Sequence, residues 1–200
     1  RDLRMKLLAT TVFAVGLLAA STAESAVYVV GAQANSSSGG TGAATLSLTS
    51  GQAFTVAVAP DDLWSAGALP RWSNADGLTH TLFATGSDNS GEAAGTLIGQ
   101  DWGTWTQHGL TAAYGTLVGE IGGVFKVIGS SFSGAAWGTG ILNLYYWDEN
   151  NHDNAGAVDA FVTAGGSAVP EPATWAMMIG GFALAGQALR KRQKLLPQAA

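Results

Sequence analysis

Cysteine is absent from this 200-residue chain. No disulfide can staple its fold, no thiol can serve as a nucleophile, and no thiolate zinc site can form. Positive charge is scarce in the middle of the chain. Of nine Lys and Arg, residues 24–168 hold only Arg71 and Lys126 against twelve Asp and Glu, so this segment carries 2 − 12 = −10. The whole-chain value of −5 conceals that balance, because the other basic residues lie near the two ends. So acidic a segment excludes nucleic acid as a partner and invites a divalent cation. Gly-x-Ser-x-Gly, His-Glu-x-x-His and phosphate-loop patterns are missing. No stretch between residues 24 and 168 keeps a helical period.

Long apolar runs occur only near the termini. Met5-Lys6 opens a basic start followed by the apolar residues 7–20, and the small residues Ser21, Thr22 and Ala23 close it. This is the pattern of a secretory signal peptide spanning 1–23. A signal peptidase is expected to cut after Ala23, and Met5 is the expected true start. At the other end, residues 173–189 form a 17-residue apolar run. As a helix it reaches about 25 Å, the lower limit for a hydrocarbon core of about 30 Å. Pro170 and Pro172 prevent a helix from entering from upstream. Arg190, Lys191, Arg192 and Lys194 follow as a basic stop that is expected to stay cytoplasmic.

The string Val169-Pro170-Glu171-Pro172, Thr174 to Phe182 (TWAMMIGGF) and the basic tail resembles the PEP-CTERM sorting signal of Gram-negative bacteria, also described as an ice-binding protein C-terminal domain. The resemblance covers 169–194. It implies recognition by an exosortase, a membrane cysteine protease acting near Pro170, Glu171 and Pro172. It also implies an inner-membrane-anchored precursor that is exported to the cell surface or the medium.

Between the two signals, 24–168 is long enough for one domain with a sizeable core. Short β-branched segments punctuated by Gly and Ser predict strands over 27–30, 44–48, 53–58, 117–121, 124–128, 141–147 and 157–163. Residues 33–42 read as a polar turn or flexible loop, and 85–109 resist assignment. Many short strands with Gly-rich turns predict an all-β fold, an antiparallel jelly-roll β-sandwich.

The segment 148–156, Asp-Glu-Asn-Asn-His-Asp-Asn-Ala-Gly, lies between the last two strands and concentrates hard oxygen donors, as calcium requires. Its spacing is not that of an EF-hand, and an Asn/Asp-rich hairpin is also simply a favourable turn. The stretches 114–122, Phe125, Ile128-Gly129 and 140–144, with Asp148 and Asp153 to Gly156, are similar to the calcium-dependent galactose-binding lectins of bacteria. That resemblance extends loosely back to Ser50-Gly51-Gln52 and to Arg71-Trp72, so it covers most of the domain. It implies side-chain ligands Asp148, Asp153 and Asn154, a carbonyl from Asn150 or Asn151, and a further carbonyl near Ala66. The ion would take two hydroxyls of a galactose-like sugar, with His80 touching that sugar; the neighbouring family Gln falls on Phe83.

Other readings stand beside this one. His108 and His152 suit solvated loops, and Trp64, Trp72, Trp137 and Trp147 suit a core. Trp102 and Trp105 suit either sugar stacking or coverage of a sheet. Asp61-Asp62 is a possible hydrolytic pair, but adjacent carboxylates usually diverge, whereas glycoside hydrolysis needs two facing across a cleft. Catalysis is therefore not expected, and the resemblance implies a carbohydrate-binding protein. The alternative is a structural exopolysaccharide or biofilm matrix protein in which calcium only stabilises loops.

Overall fold

The computed structural model describes residues 23–165 and 180–185. The leader up to Thr22, the processing residues Pro170, Glu171 and Pro172, and the basic residues Arg190, Lys191 and Arg192 lie outside the described residues. So does most of the apolar run 173–189, of which residues 180–185 are helical. Among the described residues no helix is long and apolar enough to cross a membrane.

Among the described residues fourteen strands follow one another: β1 (Glu24–Gly31), β2 (Ala43–Leu48), β3 (Ala53–Ala57), β4 (Trp64–Ser65), β5 (Trp72–Ser73), β6 (Leu82–Phe83), β7 (Leu97–Gly99), β8 (Thr104–Gln107), β9 (Leu110–Ala113), β10 (Leu117–Ile121), β11 (Val124–Val127), β12 (Ser131–Ala135), β13 (Gly140–Tyr146) and β14 (Ala155–Ala164). One sheet runs β12-β3-β14-β4-β5, with β1 paired along β14, and a second runs β11-β10-β13-β2. The strand pairs of both sheets are antiparallel. The chain passes from sheet to sheet at β1–β2, β2–β3, β11–β12, β12–β13 and β13–β14, the winding of a jelly roll.

Side-chain period two builds the interior. Leu46 and Leu48 of β2, Phe54 and Val56 of β3, and Val158, Ala160 and Val162 of β14 all point inward into one cluster with Trp64 and Tyr146. Trp64 and Tyr146 meet edge to face at 4.6 Å, a favoured aromatic geometry. The outward residues of β14 include the half-exposed Phe161. Strand β10 departs from alternation, with Leu117, Val118 and Ile121 all buried. The reason is a second layer: Ala112 of β9, Val118 and Trp147 form a cluster outside the four-stranded sheet, packed by Trp105 and Phe125. Tyr146 and Trp147 are neighbours in sequence, yet they belong to the inner and the outer cluster.

Residues 85–109, which show no period in the sequence, contribute β7 and β8. Strands β8 and β9 form a tight hairpin, with Gln107 opposite Leu110. His108 and Gly109 both have positive φ, 50° and 79°, the two-residue turn that matches strand twist. Residues 33–42 form turns rather than a flexible loop. Ser36 is fully buried and bridges to Tyr146, so this segment packs beneath the end of β13.

Candidate functional site

Strand β13 ends at Tyr146 and β14 starts at Ala155, so residues 147–154 cross from the second sheet to the first. Several contacts hold this crossing. Ser37 Oγ donates to the Asp148 carbonyl at 3.0 Å and lies 3.2 Å from its amide nitrogen. The Glu149 amide donates to Asp148 Oδ1 at 2.7 Å. Asn150 Nδ2 donates to Asp153 Oδ1 at 3.0 Å, and the His152 amide donates to Asn150 Oδ1 at 3.1 Å. Asn154 Nδ2 donates to the Ala32 carbonyl at 3.1 Å.

The loop thereby buries two hydrophilic side chains, Asp148 at 5% and Asn154 at 6% exposure. Burial pushes the Asp148 carboxyl from 3.8 up to about 6, against the lowering effect of the Glu149 and Asn150 amides and the Asn154 side chain; the nearby Asp153 charge raises it further. The bond to Ala32 fixes the Asn154 amide, and its Oδ1 is left buried without a hydrogen-bond partner. An unsatisfied buried oxygen beside a desolvated carboxylate is costly. A bound cation would relieve both.

A cavity of about 280 Å³ opens here, lined by Asp148, Glu149, Asn150 and Asp153 on one side and by Ala66, Arg71, Leu78, Trp102 and Tyr114 on the other. Ala66 extends from β4, so its carbonyl faces the acidic loop through Arg71. Arg71 Nη1 donates to the Ala66 carbonyl at 3.2 Å and pairs with Asp153 Oδ2 at 3.3 Å. Gly67 makes this approach possible: its φ is 118°, and a Cβ there would strike the Asp153 carboxylate. Burial and then the Glu149 and Asp148 charges raise the Tyr114 hydroxyl above its ordinary value.

The structure thus brings together Asp148, Asp153, Asn150 and the Ala66 residue around one cavity, with Asn154 buried alongside. Asn151 turns the other way, its side-chain amide lying beside Gly39. His80 lies outside the cavity; it is exposed and lines a separate depression of about 100 Å³ with Trp72, Ser73 and Leu82. The two loop tryptophans divide their roles. Trp102 is 41% exposed and faces the cavity, whereas Trp105 packs in the outer cluster and its carbonyl accepts from Trp147 Nε1 at 3.0 Å. Asp62 accepts from the Asp159 amide of β14 at 2.7 Å and from Asn89 Nδ2 at 3.4 Å, so it ties two loops to that strand. His108 stacks on Phe125 at 4.7 Å. Glu149 and Tyr114 were not anticipated as site residues; only their place within 114–122 and 148–156 pointed to this region.

Among the described residues no three His, Cys, Asp or Glu side chains gather as a metal-binding group. A cation here would rest on the Asp148 and Asp153 carboxylates together with amide and carbonyl oxygens. An all-oxygen set of this kind suits a hard cation such as calcium rather than zinc or copper, which favour nitrogen and sulfur donors.

The fold and this loop define an acidic, antiparallel β-sandwich with an oxygen-lined cavity at one sheet end. The family model of the PEP-CTERM protein-sorting motif matches residues 168–193, so the chain carries that motif behind the sandwich. A solved structure described as "EclA N-terminal domain; PllA-like lectin" is similar with a TM-score of 0.43 and 18% identity, over 70% of this chain and 95% of that one. A search of curated proteins found no match.

Proposed function

We propose that this chain is a non-catalytic protein made as a membrane-anchored precursor, processed by an exosortase and delivered to the cell surface or the medium, whose sandwich domain binds a galactose-like carbohydrate through calcium. Export and processing follow from the sorting motif at 168–193, preceded by the secretory leader pattern at 1–23. The observation that carries the calcium reading is the pair of buried side chains, Asp148 and Asn154, one desolvated and the other with an unpartnered Oδ1. Asp148, Asn154 and Asp153 would hold the ion, with carbonyls of Asn150 and Ala66 as further donors. When bound, calcium supplies a positively charged centre to which two sugar hydroxyls coordinate. The chain itself provides the walls: Trp102 offers a half-exposed ring for an apolar sugar face, and Tyr114 and Glu149 offer hydrogen-bonding groups at the cavity edge.

Near-complete burial of Asp148 and Asn154 also favours a second reading, in which calcium stiffens the loop of a matrix protein and no sugar reaches it. Thermal melts of the full chain with calcium and with EDTA test the metal common to both. A calcium-dependent rise of several degrees is the expected result, and coincident melts would remove both.

A further inference from the structure

Arg71 is one of two basic residues between positions 24 and 168, and its guanidinium stands inside the candidate site. A single nitrogen, Nη1, lies 3.2 Å from the Ala66 carbonyl and 3.3 Å from Asp153 Oδ2. The guanidinium carbon sits 4.7 Å from the centroid of the Trp102 ring, and Trp102 is held by its Nε1 donating to the Pro70 carbonyl at 3.2 Å. The two oxygens bridged by Arg71 belong to the set assigned to calcium. A calcium ion needs them at about 2.3–2.6 Å, and a guanidinium directed at the same lone pairs would also repel the ion.

We propose that Arg71 is a tethered cation that competes with calcium for the Ala66 and Asp153 oxygens, and that metal binding turns its guanidinium out of the site. This rests on the calcium reading given above. Arg71 supplies the positive charge that Asp153 would otherwise lack, and keeps the acidic loop drawn against the end of β4. Asp148 and Asn154 have no such substitute, so the metal enters on their side and displaces Arg71 from the other. The guanidinium lies over the Trp102 ring at 4.7 Å, a cation–π contact, so turning it out of the site also changes that contact. Calcium affinity is then set by the exchange and not by the oxygens alone.

The test is calorimetric titration of detergent-solubilised full chain with calcium chloride, comparing wild type, Arg71→Met and Arg71→Lys. Methionine keeps an unbranched stem against Trp102 and removes the charge. A site closed nine times in ten lowers apparent affinity about tenfold, so Arg71→Met should bind at least about tenfold more tightly. Arg71→Lys should fall between, retaining the charge without the fork. A second readout is the Trp102 contribution to fluorescence, obtained by subtracting the Trp102→Phe variant. It should change on calcium saturation in the wild type and stay constant in the Arg71→Met background. A folded Arg71→Met with equal or weaker calcium affinity would overturn the exchange while leaving calcium binding intact, since Arg71 would then be holding Asp153 in place for the metal. Should Arg71→Met fail to fold, the wild-type signal decides: an unmoved Trp102 contribution at saturation overturns the proposal. If neither protein binds calcium, the metal reading falls and the exchange falls with it.

Discussion

Consider Asp148→Asn in a buffer stripped of divalent ions. Asparagine keeps the size of the side chain and an Oδ1 that can accept from the Glu149 amide, a 2.7 Å contact in the wild type. It removes a charge that burial makes unwelcome. The wild-type carboxyl titrates at about 6 in the folded protein against 3.8 unfolded. Since the folded value is the higher one, the group imposes no penalty below about pH 4, where both states hold the proton. The penalty grows as pH rises from 4 to 6 and is complete above 6. The difference, 6 − 3.8 = 2.2, amounts to about 3 kcal/mol at about 1.4 kcal/mol for each pH unit. Relaxation and water entry reduce this to about 1–3 kcal/mol. For a domain of this size each kcal/mol moves the melting temperature by roughly 2–4 °C. Asp148→Asn should therefore melt about 2–12 °C above wild type at pH 7.5 in EDTA, and the gap should close at pH 4. Saturating calcium should reverse the order, because a ligand at a hundredfold excess over Kd adds roughly 2.7 kcal/mol to the protein that binds it and the variant has lost a ligand. Circular dichroism melts at the two pH values are sufficient. A variant less stable than wild type in EDTA at pH 7.5 would refute the claim that Asp148 is a destabilising charge awaiting a partner.

Other outcomes follow from the same geometry. Gly67→Ala places a methyl group against the Asp153 carboxylate at a φ of 118°; it should cost about 1–3 kcal/mol and weaken calcium binding, measured by melts and titration. His80→Ala should leave the calcium-dependent melting shift unchanged, because His80 lines a different depression; loss of the shift would tie His80 to the metal site and refute that separation. A chain ending at Ser167 should give the circular dichroism of the full protein, since the last strand ends at Ala164; an unfolded product would make the sorting segment part of the core.

How much of this was legible in the sequence depends on length and period. Strands β2, β3, β10, β13 and β14 announced themselves by alternating or continuous apolar residues, and all were observed within two or three residues of the expected bounds. Strands β4 and β5 have two residues each, too few to show any period, although they carry Ala66 and Arg71 on their flanks. The β8–β9 hairpin hid because His108 occupies a positive-φ position usually given to Asn or Gly. The acidic loop was readable from its composition. The Arg71 bridge was not, because it joins residues 82 positions apart through a turn opened by Gly67. Trp102 and Trp105 share one sequence context, but Trp102, ahead of the hairpin, faces the cavity, whereas Trp105, within β8, packs in the outer cluster.

The central claim is calcium-dependent carbohydrate binding, and glycan-array binding of the full chain in calcium and in EDTA tests it most directly. Retention on galactose-terminated glycans in calcium, with release by EDTA and restoration by added calcium, is the predicted result. Binding that survives EDTA, or no glycan retained by calcium-saturated protein, would contradict it.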